Sequence, residues 1–587
     1  MNYCLQELAI PSIDVATESL FWHGSCDHID GVGLRLAAAA EVSTDTYFNG
    51  FSLLNWRTRC EIRDLEVEIE FKGRIDLTVL LRGMDGDVSQ VARMSDLNHG
   101  SQRCKVTVDL GGLPKRGLLY CVVTALDETL VQQIRYVTRM PPRHSVNMEF
   151  VVTHFRREAA VESMLARIVP ELGSTVFGSR RLTVVDNSQS LEAVGNENVA
   201  IVANRNLGGS GGFMRGLREA EKSGQTTHVV FMDDDAACEL CSFDRVQAFM
   251  AYVVDGRTAV CGAMFAMDTP SIIWESGAYF FGRPRQLRNL LDAKDPTQLL
   301  ELETPVEIGY GGWWLFSFPI NAVSKYAFPF FVRGDDVNFS MCNEFTLVDM
   351  CGVGSWQEHF FTKNTPQTYY LDCRSHMLHK WLSGKPGLFL AAPYQFCWLL
   401  SFCYHYSEAE AVLLAFEHVL EGPEFFENNA DMSQIFPKLR ALSDRMELLS
   451  GDALDAIPPM VPIEVDVKGS KDFKRTLKVI FSFVMLGNHL FPRFLIRNRS
   501  KTLSIRNVPR PRRIMFCETV YEVPMSDQPI RVRRFDRRRF LAIQARLAWL
   551  VIRSVFERRK LKRRYQAKGP YLMSRGFWDE QFGSASE

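Results

Sequence analysis

The amino-acid sequence predicts a protein of three parts: a β-rich first part, an α/β second part with a parallel sheet, and a mostly helical third part. Three observations support this fold class. Residues 65–72 (LEVEIEFK) alternate strictly between apolar and charged side chains, as in a strand with one face in water. Strands alternate with helices from residue 150 to 232, which favours a parallel sheet. Helical periodicity dominates later, so the predicted parts are 1–145, 146–385 and 386–587.

The composition is that of an ordinary soluble protein. Of the 587 residues, 46% are apolar and 23% are charged, and the formal net charge of −1 argues against a nucleic-acid binder, which is usually basic. The start of the chain lacks a basic segment followed by an apolar core, so we expect no secretion signal. The 14 cysteines are scattered, and no second pair accompanies Cys238 and Cys241 at zinc-site spacing. We therefore expect reduced thiols in a cytoplasmic protein.

The first part is predicted to be a β-sandwich. Short apolar runs suited to strands follow residues 65–72 at 77–81, 104–110 and 118–125, and glycine and aspartate clusters such as 83–86 separate them. Several short strands between turns are typical of a sandwich.

Three consecutive carboxylates follow an apolar strand in the second part. They are Asp233, Asp234 and Asp235, directly after residues 228–232 (HVVFM). Ligands of open α/β sheets bind at the carboxyl ends of strands, and adjacent acids repel one another unless a cation compensates. A divalent metal, Mg²⁺ or Mn²⁺, bound to a diphosphate would supply that charge. The alternative is a solvated acidic turn.

A glycine-rich run opens a predicted helix just upstream. Residues 206–216 (NLGGSGGFMRG) would let the backbone approach a ligand closely, and a helix N-terminus favours phosphate or sugar oxygens. A flexible loop is the alternative.

A second acidic pair follows another apolar run. In residues 328–337 (FPFFVRGDDV), Asp335 and Asp336 are adjacent, and such a pair tends to titrate with one member held more basic than the other. The more basic acid can take a proton from a hydroxyl group. An acidic helix N-cap would explain either residue singly. Trp313 and Trp314 are candidates for stacking on sugar faces, with packing in the core as the alternative.

In this order along the chain, these motifs resemble the galactofuranosyltransferase branch of the family 2 glycosyltransferases, which includes mycobacterial galactan polymerases. The resemblance covers roughly residues 44 to 385. Besides the motifs above, it includes TDTYFNGFSLLNW (44–56), THFRR (153–157), VDN (185–187) and WESG (274–277). It implies a GT-A catalytic domain with a Rossmann-like mixed sheet behind the N-terminal β-sandwich.

The resemblance also implies roles for single residues. The nucleotide-sugar would be held by Phe155, Arg157, Asn206 and Asp234. Asp233 and Asp235 would bind the metal. Glu275, Trp313 and Trp314 would contact the acceptor or the donor sugar. Asp336 would be the catalytic base, with Asp335 positioning acceptor hydroxyls.

One departure from the family pattern concerns the metal. Relatives carry Trp-His-Glu where this chain has Trp356, Gln357, Glu358 and His359. The histidine ligand of the family therefore falls on Gln357. Three alternatives follow: the glutamine carbonyl replaces the imidazole, His359 reaches in through a shifted loop, or the site holds metal weakly.

The C-terminal part carries a basic segment. Residues 531–564 are rich in Arg and Lys, and apolar residues recur in it at helical spacing: Phe540, Ile543, Leu547, Leu550 and Val551. A basic amphipathic helix suits docking on an anionic membrane surface. A helix packed on the body of the protein is the alternative.

Together these observations predict an inverting glycosyltransferase that moves galactofuranose from UDP-galactofuranose to a glycan or lipid-linked glycan of the cell surface. It would work with a divalent metal in the cytoplasm, or peripherally at the inner face of the cell membrane. The alternatives are a transferase for another UDP- or dTDP-sugar such as rhamnose, and a catalytically decayed carbohydrate-binding protein. A homo-oligomer is open.

Overall fold

The computed structural model describes residues 2–29, 31–358, 364–385, 389–450, 457–461, 473–505, 509–524 and 529–583. It confirms the predicted fold class, with an antiparallel β part, a mixed-sheet α/β part and a largely helical C-terminal part.

The first part is a ten-stranded antiparallel sheet in the order β2-β5-β9-β7-β10-β4-β3, with β1 on β10, β6 on β9 and β8 on β7. Its strands are β1 (Tyr3–Glu7), β2 (His23–Gly24), β3 (Asp27–Ile29), β4 (Gly33–Leu36), β5 (Glu41–Ser43), β6 (Phe51–Ser52), β7 (Leu65–Arg82), β8 (Val88–Val108), β9 (Leu118–Ala125) and β10 (Thr129–Thr138).

The long strand β7 bends, so that it pairs with two different strands along one edge. β10 pairs with residues 66–72 of β7 and β9 pairs with residues 75–82, on the same edge. Gly73 lies between these two stretches with φ +120°, and a Cβ on it would lie 2.4 Å from Thr129 Oγ1. Long strands that bend in this way are how sandwiches form corners.

The second part is a mixed sheet with helices packed against it. Its elements are β11 (Val146–His154), α1 (Glu158–Ile168), β12 (Gly173–Thr175), β13 (Gly178–Asp186), β14 (Val199–Ala203), α2 (Gly208–Ser223), β15 (His228–Asp233), β16 (Ala237–Cys238), α3 (Cys241–Tyr252), β17 (Thr258–Ala266), β18 (Thr269–Glu275), β19 (Ala278–Phe280), β20 (Pro284–Gln286), α4 (Pro296–Leu299), β21 (Phe316–Pro319), α5 (Asp335–Cys342), β22 (Thr346–Gln357) and α6 (Pro366–Leu382).

Strand direction in this sheet gathers polar residues at one edge. The order is β12-β13-β11-β15-β21-β17-β22-β16, with β14 on β13 and β18 on β17. Strands β14, β13, β11 and β15 are parallel, and register places His154 opposite Asp186 and Thr153 opposite Asp233. The carboxyl ends of these strands therefore meet where ligands bind in α/β sheets.

The third part combines helices with a small sheet that the sequence did not indicate. Its elements are α7 (Ala391–Phe402), α8 (Tyr406–Glu421), α9 (Pro423–Asn428), α10 (Phe436–Ser443), β23 (Glu447–Leu449), α11 (Phe473–Val484), β24 (Ser500–Ser504), β25 (Thr519–Val523), β26 (Ile530–Arg534), α12 (Arg537–Leu572) and α13 (Arg575–Gln581). The four strands pair in the order β23-β26-β25-β24.

The basic segment forms a strand followed by a helix. Residues 530–534 form β26, and the helix begins at Arg537. Phe540, Ile543, Leu547 and Leu550 are buried against the body of the protein, so the structure shows the packed helix that was the alternative to membrane docking by this face. The opposite side of α12 carries a second apolar row, with side chains that are more than half exposed: Leu541, Trp549, Ile552, Val555 and Phe556. Within the described residues, none of the helices is long and apolar enough to span a membrane.

Candidate active site

The three consecutive acids lie at the end of β15, as predicted, and their charges are shared by two neighbours. Arg157 Nη1 lies 2.7 Å from Asp234 Oδ1 and 2.8 Å from Asp235 Oδ2. Gln357, at the end of β22, donates its amide Nε2 to Asp233 Oδ2 at 2.9 Å and to Asp235 Oδ1 at 3.5 Å. The Gln357 amide thus lies between the carboxylates of Asp233 and Asp235, the first and last of the three consecutive acids.

This donor set fits a hard divalent cation. Asp233 and Asp235 both reach one point, where the Gln357 amide nitrogen now lies, and rotation of that amide would turn its oxygen to the same point. Mg²⁺ is commonly bound by one or two carboxylates together with substrate phosphates and water. Within the described residues, no group of three or more His, Cys, Asp or Glu side chains could hold a metal. His359, the other predicted ligand, lies outside the described residues.

The N-terminus of α2 meets the same site. Gly208 begins the helix with φ +68°, and a Cβ there would lie 2.1 Å from the Phe331 carbonyl oxygen. Asn206 caps this turn, because its Oδ1 accepts the Gly208 N–H at 3.0 Å. Asn187, after β13, donates to the Gly208 carbonyl at 3.3 Å. The glycine-rich run is therefore an ordered helix start rather than a flexible loop.

The second acidic pair begins α5. The Ser210 hydroxyl of α2 donates to Asp335 Oδ2 at 3.1 Å, and the Val337 N–H donates to Asp336 Oδ1 at 2.7 Å. Burial raises the pKa of the Asp335 carboxyl. Burial, followed by the charge of Asp335, raises the pKa of Asp336. Two carboxyls of one turn thus repel each other in a poorly hydrated place, and one of them stays basic.

Glu275, the last residue of β18, adds a third carboxyl. It is 3% exposed, and its Oε1 has no hydrogen-bond partner. Burial, followed by the charge of Asp336, raises the pKa of Glu275 well above its ordinary value. A buried acid that faces other acids costs folding free energy, and such groups cluster at functional sites.

Both acidic groups line one cavity of about 490 Å³. The predicted residues that line it are Arg157, Asp233, Asp234, Asp235, Glu275, Trp313, Trp314, Asp335 and Asp336. The two tryptophans also pack in the core. Trp313 meets Phe213 and Phe231 edge-on, and Trp314 Nε1 donates to the Gly262 carbonyl at 3.0 Å. Both tryptophans therefore pack in the core and also line the cavity, and their contact with a sugar stays a prediction.

Three predicted residues do not line the cavity, namely Asn206, Phe155 and Gln357. Asn206 acts on the backbone of α2, as described above. Phe155 is 41% exposed, with the Arg156 guanidinium 5.0 Å over its ring, and it does not belong to the cavity wall. Gln357 reaches the site through Asp233 and Asp235.

Several lining residues were not predicted. Asp372 and His376 come from α6, one turn apart on one face, and Arg333 Nη1 lies 3.7 Å from Asp372 Oδ2. Tyr310 and Trp274 complete the wall near Glu275. The spacing of Asp372 and His376 was a usable signal, whereas nothing in the sequence connects α6 to the acidic motifs.

Comparisons with known proteins show what the chain is similar to. Residues 22–139 match the family model described as the N-terminal region of galactofuranosyltransferase 2. The chain is 24% identical over 427 residues to galactofuranosyltransferase GlfT2 of Mycolicibacterium smegmatis, a match that covers 67% of this chain and 66% of that protein. It is 23% identical to GlfT2 of Mycobacterium tuberculosis, covering 55% of each chain. The matches thus span less than two thirds of the length of these relatives.

Solved structures give weaker likenesses. One is GalNAc-T7 with UDP, GalNAc and Mn²⁺, which is 11% identical with a TM-score of 0.31, covering 42% of this chain and 51% of that one. Another is the mannosyltransferase PcManGT from Pyrobaculum calidifontis with GDP-Man and Mn²⁺, which is 11% identical with a TM-score of 0.26, covering 52% and 87%. These scores carry no argument about this chain. The sequence matches show that the chain is a galactofuranosyltransferase-like protein, a distant homologue of the mycobacterial GlfT2 proteins.

Proposed function

We propose that this chain is an inverting glycosyltransferase that moves galactofuranose from UDP-galactofuranose to a hydroxyl group of a cell-surface glycan. The observation that carries the proposal is that one cavity holds two acidic groups of different character. The acids after β15 are charge-compensated and suit a nucleotide diphosphate. Asp335 and Glu275 are buried, and both carboxyls lie close enough to the half-buried Asp336 to raise a pKa by charge repulsion.

The donor would lie along the carboxyl ends of the parallel strands. Arg157 would hold the nucleotide phosphates and Asp234 would orient Arg157, while Phe155 would lie against the uracil ring. Asp233, Asp235 and Gln357 would hold a divalent metal, which neutralises charge on the leaving diphosphate when bound. The N-terminus of α2, with Asn206, would face sugar or phosphate oxygens.

The acceptor would approach from the side of α5. Asp336 is only half-buried, whereas Asp335 is 6% exposed and accepts the Ser210 hydroxyl. Asp336 is therefore the member of the pair that can reach a substrate, and its raised pKa suits a base that takes the acceptor proton. Glu275, in its protonated form, would donate a hydrogen bond to a sugar hydroxyl, and Trp313 and Trp314 would bound the sugar.

The rival from another class is a carbohydrate-binding protein with a decayed site. The departure at Gln357 motivates it. Glu275, Asp335 and Asp336 oppose it, because a binding protein gains nothing from two buried carboxyls and a half-buried one whose charges repel one another. Within the enzyme class, the rival donor is another UDP- or dTDP-sugar such as rhamnose.

One experiment distinguishes the three hypotheses: a galactofuranose transferase, a transferase for another sugar, and a binding protein. The purified protein is incubated with Mn²⁺ and a galactofuranose oligosaccharide acceptor together with UDP-galactofuranose, UDP-galactose, UDP-glucose or dTDP-rhamnose. Mass spectrometry then measures extension of the acceptor. Extension with UDP-galactofuranose supports the proposal, extension with a different sugar alone assigns the rival donor, and acceptor binding without extension by any donor assigns the binding protein.

We also propose that the protein works at the inner face of the cell membrane on a lipid-linked acceptor. The support is the exposed apolar side of α12, which continues into Arg559 and Arg563 on the same face of the helix. This side differs from the one that the sequence suggested, but its chemistry is the same: apolar side chains beside basic ones.

A further inference from the structure

A second cavity adjoins the candidate active site. It measures about 270 Å³ and shares the His376 side chain with the first cavity. The wall between them includes β20 and the turn before it. Pro284 and Gln286 line the active-site cavity, whereas Arg283 and Arg285 line the second one. This alternation is the period of an extended segment, whose successive side chains point to opposite sides.

The floor of the second cavity is apolar and well packed. Phe280, Met377, Trp381 and Phe389 line it and are at most 5% exposed. The rings of Trp381 and Phe389 stack at 4.1 Å between centroids. At the mouth, Phe281 is 77% exposed and offers a free ring face. Such surfaces suit the apolar face of a sugar ring.

The rim of the second cavity carries positive charge that the described part of the chain does not neutralise. Arg283, Arg285 and Lys380 line it, and among the described residues none of their side chains has a hydrogen-bond or ion-pair partner. No acidic residue of the described chain lines this cavity. Burial, followed by the charge of Arg285, lowers the pKa of Arg283, which is the direction expected for crowded cations.

His376 lines both cavities. Burial lowers the pKa of its imidazole to about 4, so the ring is neutral, and its Nδ1 has no hydrogen-bond partner. A neutral ring can pair with a sugar hydroxyl and does not compete for an anion. The order across the wall is therefore acids, neutral imidazole, then cations.

We propose that the second cavity binds an anionic group, a phosphate ester or a carboxylate, carried by the acceptor glycan on the reducing-end side of the hydroxyl that is glycosylated. The inference rests on the proposed transferase function. The reacting hydroxyl lies at Asp336, the glycan passes His376, and the anionic group meets Arg283 and Arg285 above the aromatic floor. The substrate class is thus an acidic glycan rather than a neutral one.

The test compares three galactofuranose oligosaccharides of equal length: a neutral one, one with a reducing-end phosphate and one with a reducing-end carboxylate. The wild-type protein should use at least one charged acceptor with a kcat/KM about tenfold above that of the neutral one. The two charged arms show which anion the site takes. The advantage should shrink when about 0.5 M NaCl screens the exposed cations. Equal kcat/KM for all three acceptors would overturn the inference, while extension of the neutral one would still support the proposed function.

Variants test whether Arg283 and Arg285 cause the preference for charged acceptors. The double variant R283Q/R285Q should reduce the ratio of charged to neutral kcat/KM towards one. The matched control is Arg35→Gln, an exposed arginine of the N-terminal sheet, which should keep the wild-type ratio. Isothermal titration of the phosphorylated acceptor without donor supplies a readout independent of turnover, and the double variant should bind it about tenfold more weakly. An unchanged ratio and unchanged affinity in the double variant would place the anion elsewhere and refute this site.

Discussion

Asp335 and Asp336 are neighbours in sequence but differ in their surroundings. Asp335 is held by the Ser210 hydroxyl, whereas Asp336 accepts a backbone N–H from its own turn and remains open to the cavity. The difference explains why two adjacent acids can serve different purposes: one fixes the geometry of the turn, and the other is available to a substrate.

The first prediction is that Asp336→Asn lowers kcat by roughly 10²–10⁴-fold, the usual range for loss of a general base. Asparagine keeps the size of the side chain and cannot accept the acceptor proton. UDP should bind with near wild-type affinity, because Asp336 lies on the acceptor side of the cavity. Steady-state kinetics and UDP titration measure the two quantities. A kcat near the wild-type value would place the base at another residue.

The second prediction concerns pH. Because the base must be deprotonated, kcat/KM should rise with pH through the raised pKa of Asp336 and have its acidic midpoint above the ordinary value of about 4. Asp335→Asn removes the neighbouring negative charge that raises this pKa, so the midpoint should move to lower pH by the order of one unit. pH–rate profiles of the two proteins test this. A midpoint that stays in place would show that Asp335 does not couple to the base.

The third prediction concerns Gln357. A histidine here would restore the ligand that relatives carry, so Gln357→His should lower the Mn²⁺ concentration needed for half-maximal transfer, and Gln357→Ala should raise it. EDTA should abolish transfer in every variant. The exposed Gln90→His serves as control and should behave as wild type. Full activity in EDTA would contradict a metal at Asp233 and Asp235.

Sequence reasoning located the residues that are adjacent in the chain and missed those that meet through the fold. Asp233 to Asp235 and Asp335 to Asp336 were visible because each group directly follows an apolar run. Asp372 and His376 were missed because they join the site only when α6 packs beside α5, a contact that no local pattern encodes. The second cavity was invisible for the same reason, since its wall combines β20 with α6.

At the level of elements, α12 shows how amphipathicity can mislead. Its periodic apolar residues were correctly identified as one face, but that face packs on the body, as in any globular helix. The exposed row from Leu541 to Phe556 is shorter and was hidden by the basic residues around it. The strands β24, β25 and β26 were missed because each has five residues and their pairing joins distant segments.

The fourth prediction is that the double variant W549E/F556E weakens binding to vesicles containing phosphatidylglycerol by roughly tenfold or more, because two large apolar side chains no longer enter the interface. The fold should survive, since these side chains are 64% and 83% exposed. Val176→Glu, at an exposed valine of the second part, is the control. Vesicle sedimentation measures binding, and equal sedimentation of wild type and double variant would refute this docking surface.

A deletion from residue 531 onward would not test membrane docking by α12. It removes the buried face of α12 and also Trp578, whose Nε1 donates to the Ala327 carbonyl at 3.0 Å beside the active site. Loss of membrane binding in such a protein would reflect unfolding. Surface substitutions avoid that ambiguity.

At the level of the whole molecule, the first two parts share one core. The Trp56 ring of the N-terminal part meets the Phe249 ring of α3 at 5.9 Å, and the Tyr47 hydroxyl donates to the Val353 carbonyl at 2.9 Å. The boundary proposed at residue 145 therefore separates segments that bury each other. The N-terminal sheet packs directly against the second part.

The joint between these parts includes a buried acid. Glu303, from the second part, is 1% exposed, and its Oε2 accepts the N–H groups of Leu54 at 2.8 Å and of Gly117 at 3.1 Å. Burial raises the pKa of Glu303 to about 7, even though these hydrogen bonds oppose the shift. The folded protein therefore binds a proton here at pH values where the unfolded chain, with an ordinary Glu pKa of about 4.3, has lost it.

The fifth prediction follows from that difference. The pKa of Glu303 is higher in the folded protein than in the unfolded chain. Proton binding at Glu303 therefore stabilises the fold fully below about pH 4.3, and this stabilisation is lost as the pH rises to about 7. Above about pH 7, titration of Glu303 no longer changes the stability. Glu303→Gln keeps an acceptor for the two N–H groups and cannot ionise. Its stability relative to wild type should therefore increase across this window by at most about 4 kcal/mol. Thermal unfolding at pH 5, 6, 7 and 8 measures the difference, and the exposed neighbour Glu301→Gln is the control. A difference between Glu303→Gln and wild type that does not change with pH would show that the pKa of Glu303 is not raised in the folded protein, and would contradict this prediction.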